Sequence, residues 1–112
     1  MRIEFPFPDV RLNPNKRIDR RALIGVKRDA KEAAYLLTRE SGTRVTNDKL
    51  QLTLTFCPPD KRKRDLDNLY SAFKAYQDGL FLALGVDDSI IDCVLLQRGA
   101  AMTNGCVFVE VK

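Results

Sequence analysis

The sequence predicts an α+β fold, a mixed β-sheet with two main helices packed on it, in the order strand, helix, strand, helix, strand, strand. Three observations carry this. Leu50, Leu52, Leu54 and Phe56 alternate without a break against Gln51, Thr53 and Thr55, the period of a half-buried strand. Two stretches, from about Asp19 to Thr38 and from Asp65 to about Leu84, space their apolar residues near 3.6. The chain ends in two strand-like runs joined by a turn-rich segment.

Taken in order, Ile3, Phe5 and Phe7 alternate with Arg2, Glu4 and Pro6, an opening strand with one buried face that Pro8 ends. A loop rich in Pro, Asn and basic residues follows, from Pro8 to Arg17. The first helix buries Leu23, Val26, Ala30, Ala33 or Ala34, and Leu37, with Asp19 as its N-cap. Glu40 to Lys49 is polar, carries Gly42 and reads as a connection. The second strand stops at Pro58-Pro59, and the basic run Lys61-Arg62-Lys63-Arg64 leads into Asp65-Leu66-Asp67-Asn68, the start of the second helix, which Gly85 closes. Ile90 to Gln97 and Cys106 to Val111 are the last strands, close enough in sequence for a hairpin across Gly99 to Gly105.

Length and composition bound the function. The 112 residues suit one domain over positions 1–112, and 45% hydrophobic with 30% charged residues suits a folded core. Histidine is absent, which excludes Ser-His and Cys-His catalysis and His-ligated zinc. Cys57, Cys93 and Cys106 form no C-x-x-C pair and read as buried small apolar residues of a cytoplasmic protein, with no membrane span. The net charge of +4 is uneven: residues 1–49 hold 12 Lys/Arg against 7 Asp/Glu, a balance of +5, a basic half that suits phosphate contact and equally a plain wet surface, so charge alone does not decide.

On a helical wheel Asp67, Ser71, Lys74 and Asp78 form one stripe, opposite Leu69, Phe73, Tyr76 and Leu80. Asp65 precedes the helix and Asp87-Asp88 follow it. Clustered carboxylates repel unless a cation neutralises them, and hard oxygen donors suit Mg²⁺ or Mn²⁺. The plainer reading is that Asp65 and Asp67 cap the helix, and that the basic run is a solvated loop. The combination favours a nuclease: carboxylates to hold an ion, the ion to polarise a scissile phosphate, and adjacent cations to hold a polyanion against an acidic site.

At this block the sequence resembles the RusA-like Holliday junction resolvases of bacteria and their phages. The resemblance runs from the Phe-Pro-Phe-Pro opening and the loop with Asn13 and Asn15, through Cys57-Pro58-Pro59-Asp60-Lys61-Arg62-Lys63-Arg64-Asp65-Leu66-Asp67-Asn68-Leu69, to Gly85-Val86-Asp87-Asp88-Ser89-Ile90-Ile91. It implies a crossover junction endodeoxyribonuclease of DNA recombination and repair that hydrolyses phosphodiesters at four-way junctions with Mg²⁺ as a homodimer. Asp65, Asp67 and Asp88 would be the catalytic acids and metal ligands. The family's helix lysine falls at Ser71 by spacing, whereas Lys74 matches its K-A-x-x-D pattern, so Lys74 is the expected catalytic cation. DNA contacts are expected from Lys61, Arg62, Lys63, Arg64, Asn13, Asn15, Lys16 and Arg17, or from along Lys16 to Arg28. The alternatives are a non-catalytic branched-DNA binding protein of the same fold and an unrelated partner-binding domain.

Overall fold

A computed structural model describes residues 2–112, and its elements follow the expected order. Strand β1 spans Arg2–Pro6, helix α1 Arg20–Ser41, β2 Leu50–Cys57, α2 Leu66–Leu84, β3 Ile91–Arg98 and β4 Cys106–Val111, with short 3-10 turns at Val10–Leu12 and Asp88–Ile90. The fold is α+β, with a four-stranded mixed sheet in the order β1-β4-β2-β3. β4 runs antiparallel to both β1 and β2, and β3 runs parallel to β2.

The expected terminal hairpin does not form, because β2 lies between β3 and β4. Helix α2 returns the chain from the end of β2 to the start of β3, and a helical crossover makes strands parallel neighbours. Beyond β3 the chain then crosses the end of β2. The Gly99 N–H donates to the Phe56 carbonyl at 2.8 Å and the Met102 N–H to the Pro58 carbonyl at 2.9 Å, delivering β4 to the other side. A Cβ at Gly99 would sit 2.4 Å from the Cys57 sulfur, so only glycine passes this closely.

Alternation sorts the strands as the sequence implies. Ile3 and Phe5, Leu50 to Phe56 at every second position, and Val107 and Val109 are buried and face the helices. The Phe73 ring centres this core, 5.9 Å from Phe5, 6.0 Å from Phe56 and 5.9 Å from Tyr76. Helix α1 runs three residues beyond the expected Thr38. Gly42, at φ 70°, ends it in the left-handed conformation that glycine adopts without a Cβ penalty. Its buried face is Val26, Ala30, Ala34 and Thr38, which resolves the Ala33 or Ala34 alternative in favour of Ala34. Thr38 is satisfied there by donating its hydroxyl to the Ala34 carbonyl at 2.7 Å.

The cysteines divide. Cys57 and Cys106 are buried and directly opposed across β2 and β4, and burial, then the neighbouring Cys57, pushes the Cys106 thiol up to about 11. Cys93, expected to be buried, is exposed: β3 is an edge strand, and Cys93 pairs in register with the exposed Gln51. Among the described residues no helix is long and apolar enough to cross a membrane.

Candidate functional site

The polar stripe of α2 exists as drawn on the wheel. Asp67, Ser71, Lys74 and Asp78 are all exposed, while Leu69, Phe73, Tyr76 and Leu80 are buried. Above this stripe the loop from Pro8 to Arg17 is fastened to α2. The Asp9 N–H donates to the Tyr76 hydroxyl at 3.1 Å, and Leu12 is buried beneath the loop. The Asp9 carboxylate in turn accepts the Arg11 N–H at 2.9 Å and pairs with the Arg11 guanidinium at 2.8 Å. That guanidinium holds the Asp9 carboxyl below its ordinary range, and burial raises the Tyr76 phenol.

The loop and α2 line two adjoining cavities, and α1 closes the larger. The larger, about 450 Å³, has an apolar floor of Leu12, Ile18, Leu23, Ala72 and Ala75, and its rim carries Arg11, Lys16, Lys27, Arg28, Lys31 and Lys74 against one acid, Asp78. The smaller, about 270 Å³, lies toward the start of α2 and includes Lys63, Arg64, Asp65 and Asn68. Asn13 and Ala72 line both, so the two form one trough along α2. From Asn68 to Asp78 it follows about 15 Å of helix.

Asp65 occupies the N-cap position but makes no side-chain capping bond, and Asp67 stands in the first turn. Asp65 thus caps by position without a side-chain bond, and both carboxylates keep the favourable place at the positive end of the helix dipole. Other aspartates at turns engage backbone N–H groups: Asp9 takes that of Arg11, Asp60 that of Arg62 and Asp87 that of Ser89. Asp65 and Asp67 are exposed with both carboxylates uncommitted among the described residues. This donor pair fits Mg²⁺, which is commonly held by one or two carboxylates together with water and substrate phosphate.

Asp88 is elsewhere. It opens the turn after α2, and its carboxyl is raised by a hydrogen bond with Asp87, then by the Asp87 charge, by burial and by the Asp78 charge. Asp87 is lowered, chiefly by the Ser89 N–H. The nearness of Asp78 locates Asp88 at the far end of α2, since Asp78 stands about 16 Å along the helix from Asp67. One chain therefore brings Asp65 and Asp67 together at the start of α2 but not Asp88, and among its described residues no three acids or cysteines are grouped to hold a metal. The cause is topological, because a rigid helix separates the D-x-D motif from the D-D motif.

Of the expected DNA contacts, Lys61, Arg62 and Lys63 are exposed. Arg64 is a brace: it pairs with Asp60 at 2.9 Å, stacks 5.5 Å from the Phe7 ring centre, and its carbonyl accepts from Arg98. Asn13 and Lys16 line the trough, whereas the exposed Asn15 and Arg17 do not. Lys74 lines it beside Ser71, with its ammonium 4.9 Å from the Tyr70 ring centre. Arg11 and Lys31 were missed by sequence reasoning. The four-residue spacing of Lys27 and Lys31 on α1 is the signal that one helix face is cationic.

No family model matches the chain. It is 31% identical over 90 residues to an uncharacterised protein of Xylella fastidiosa (strain Temecula1), in an alignment covering 77% of this chain and 59% of that protein. The chain thus spans about three fifths of the length of the relative it matches.

Proposed function

We propose that the chain is a Mg²⁺-dependent structure-specific endonuclease of the RusA-like kind, acting in the cytoplasm as a homodimer on four-way DNA junctions. The observation that carries this reading is the uncommitted carboxylate pair of Asp65 and Asp67, beside the exposed Lys61, Arg62 and Lys63 and at one end of the cationic trough. Asp65 and Asp67 would hold the ion, which when bound supplies charge neutralisation and water activation for phosphodiester hydrolysis. Lys74 would stabilise charge on the phosphate, and the third acid, Asp88, would come from a second copy.

A labelled four-way junction incubated with the protein, with and without Mg²⁺ and against linear duplex, tests the reading. Cleavage is expected of the junction only and with Mg²⁺ only. Asp65→Asn, Asp67→Asn and Asp88→Asn should each abolish it while junction binding persists, and full cleavage by any two would overturn the metal assignment. Lys74→Ala is expected to slow single-turnover cleavage by about a hundredfold, and Ser71→Ala to leave it near wild type. The reverse result would transfer the role to Ser71.

The second reading is a branched-DNA binding protein without cleavage. What favours it is the absence, among the described residues of one chain, of three acids at one point. Metal-independent junction binding with no nicking at any Mg²⁺ concentration would establish it.

A further inference from the structure

The trough combines features that mutual repulsion alone would disperse. Lys16, Lys27, Lys31 and Lys74 come from a loop and two helices to one rim, and among the described residues none has a carboxylate within 4.0 Å. Arg11 is neutralised by Asp9, and Arg28 lies 3.6 Å from Asp29. Four free ammonium groups around one cavity make a site for an anion with several charges spaced along it. The four come from three elements around the larger cavity, where Asp78 is the one acid, and the trough continues through the smaller cavity past Asp9 to Asp65, which separates this from a pocket for one phosphate.

The kind of anion follows from the lining. Lysines are point charges without the planar fork that reads a carboxylate bidentately, so their dominance favours phosphates in sequence over an acidic peptide. The apolar floor of Leu12, Ile18, Leu23, Ala72 and Ala75 is a surface for sugar, and the larger cavity has no aromatic ring on which a base could stack, while Phe7 of the smaller one carries the Arg64 guanidinium over its ring. Asn13, with its carbonyl oxygen engaged by the Asn15 N–H at 2.9 Å, keeps its amide donors for phosphate. About 15 Å of helix accommodates roughly four steps of a DNA strand at 3.4 Å each.

We propose that this trough binds one phosphodiester strand of a DNA arm through its phosphates, without reading bases, with Lys16, Lys27 and Lys31 as the principal contacts. This deepens the endonuclease reading by giving the substrate a path that ends at Asp65, but the trough can hold DNA whether or not the chain cleaves it.

The test is anisotropy titration of a fluorescein-labelled four-way junction and of a linear duplex across salt, with 50-residue poly-glutamate as a second probe. The variant is Lys16→Gln/Lys27→Gln/Lys31→Gln. All three side chains are exposed, so its urea midpoint should match wild type. A variant of equal net charge, Arg44→Gln/Lys49→Gln/Lys112→Gln, lies outside the trough and serves as control. The trough variant should lower the slope of log K against log salt by about 2.7, the release expected for three phosphates, for both DNAs, and the control should keep the wild-type slope. Equal slopes for the two variants, or tighter binding of poly-glutamate than of duplex, would overturn the proposal. Trough-dependent DNA binding without cleavage would sink the endonuclease reading alone, and cleavage with an unchanged slope in the trough variant would sink the trough alone. Loss of the slope change together with loss of cleavage would remove both.

Discussion

Mixing Asp67→Asn chains with Asp88→Asn chains should restore a nicking activity that neither variant has alone. In one chain Asp65 and Asp67 stand at the start of α2, while Asp88 lies by Asp78, about 16 Å along the helix. A carboxylate cannot reach across that span, so a three-acid centre must combine the start of α2 in one chain with the end of α2 in another. A two-fold dimer makes this arrangement twice, since any contact it contains is repeated with the chains exchanged. In a mixed dimer one site then has Asp67 and Asp88 both intact, and the other has both replaced. Random exchange leaves half the dimers mixed, so about a quarter of wild-type sites should recover. The assay is nicking of a labelled junction after the variants are unfolded together in urea and refolded. Were all three acids used within one chain, each site of the mixed dimer would lack one of them, and no activity would return. That result would refute completion of the site by a second copy.

The elements were legible because their signals are local. The alternation from Leu50 to Phe56 and the core stripe through Leu69, Phe73, Tyr76 and Leu80 are properties of single segments, and both are buried as the pattern requires. Strand order was not legible, because adjacency in the sequence made β3 and β4 look like a hairpin, whereas the crossing at Gly99 is a contact between distant residues. The same distinction applies to the site. Asp65 and Asp67 were visible as a motif, and so was the chemistry of their donors. That Asp65 leaves its capping bond unmade, that Arg64 is braced by Asp60, and that Asp88 sits beyond the far end of a helix depend on the folded arrangement. The trough is the clearest case. Lys16, Lys27, Lys31 and Lys74 span much of the chain and meet because two helices cross, so no window of sequence contains them.

That crossing depends on Gly79, and Gly79→Ala is expected to lower stability by about 2 kcal/mol or more, within the range for overpacking a close contact. A Cβ there would lie 2.1 Å from the Lys31 carbonyl oxygen, 2.9 Å from its carbon and 3.0 Å from the Ala34 Cβ. The nearest atoms are backbone of the neighbouring helix, and they cannot turn aside as a flexible side chain would. Alanine improves helix propensity over glycine by about 1 kcal/mol, so the observed loss is what remains after that gain. Equilibrium urea unfolding measures it: with a slope of about 1–3 kcal/mol per molar for a domain of this size, the midpoint should fall by roughly 1 M. Ala34→Gly in the same chain relieves the third contact and leaves the backbone contact, so it should recover none of the loss attributable to the Lys31 carbonyl. Lys31 is itself on the trough rim, and forcing α1 from α2 carries Lys27 and Lys31 away from Lys74. A folded Gly79→Ala protein should therefore also bind duplex with a shallower salt dependence. An unchanged or higher midpoint with the wild-type slope would show that the helices tolerate a methyl at this contact, and that their close approach is not what assembles the cationic rim.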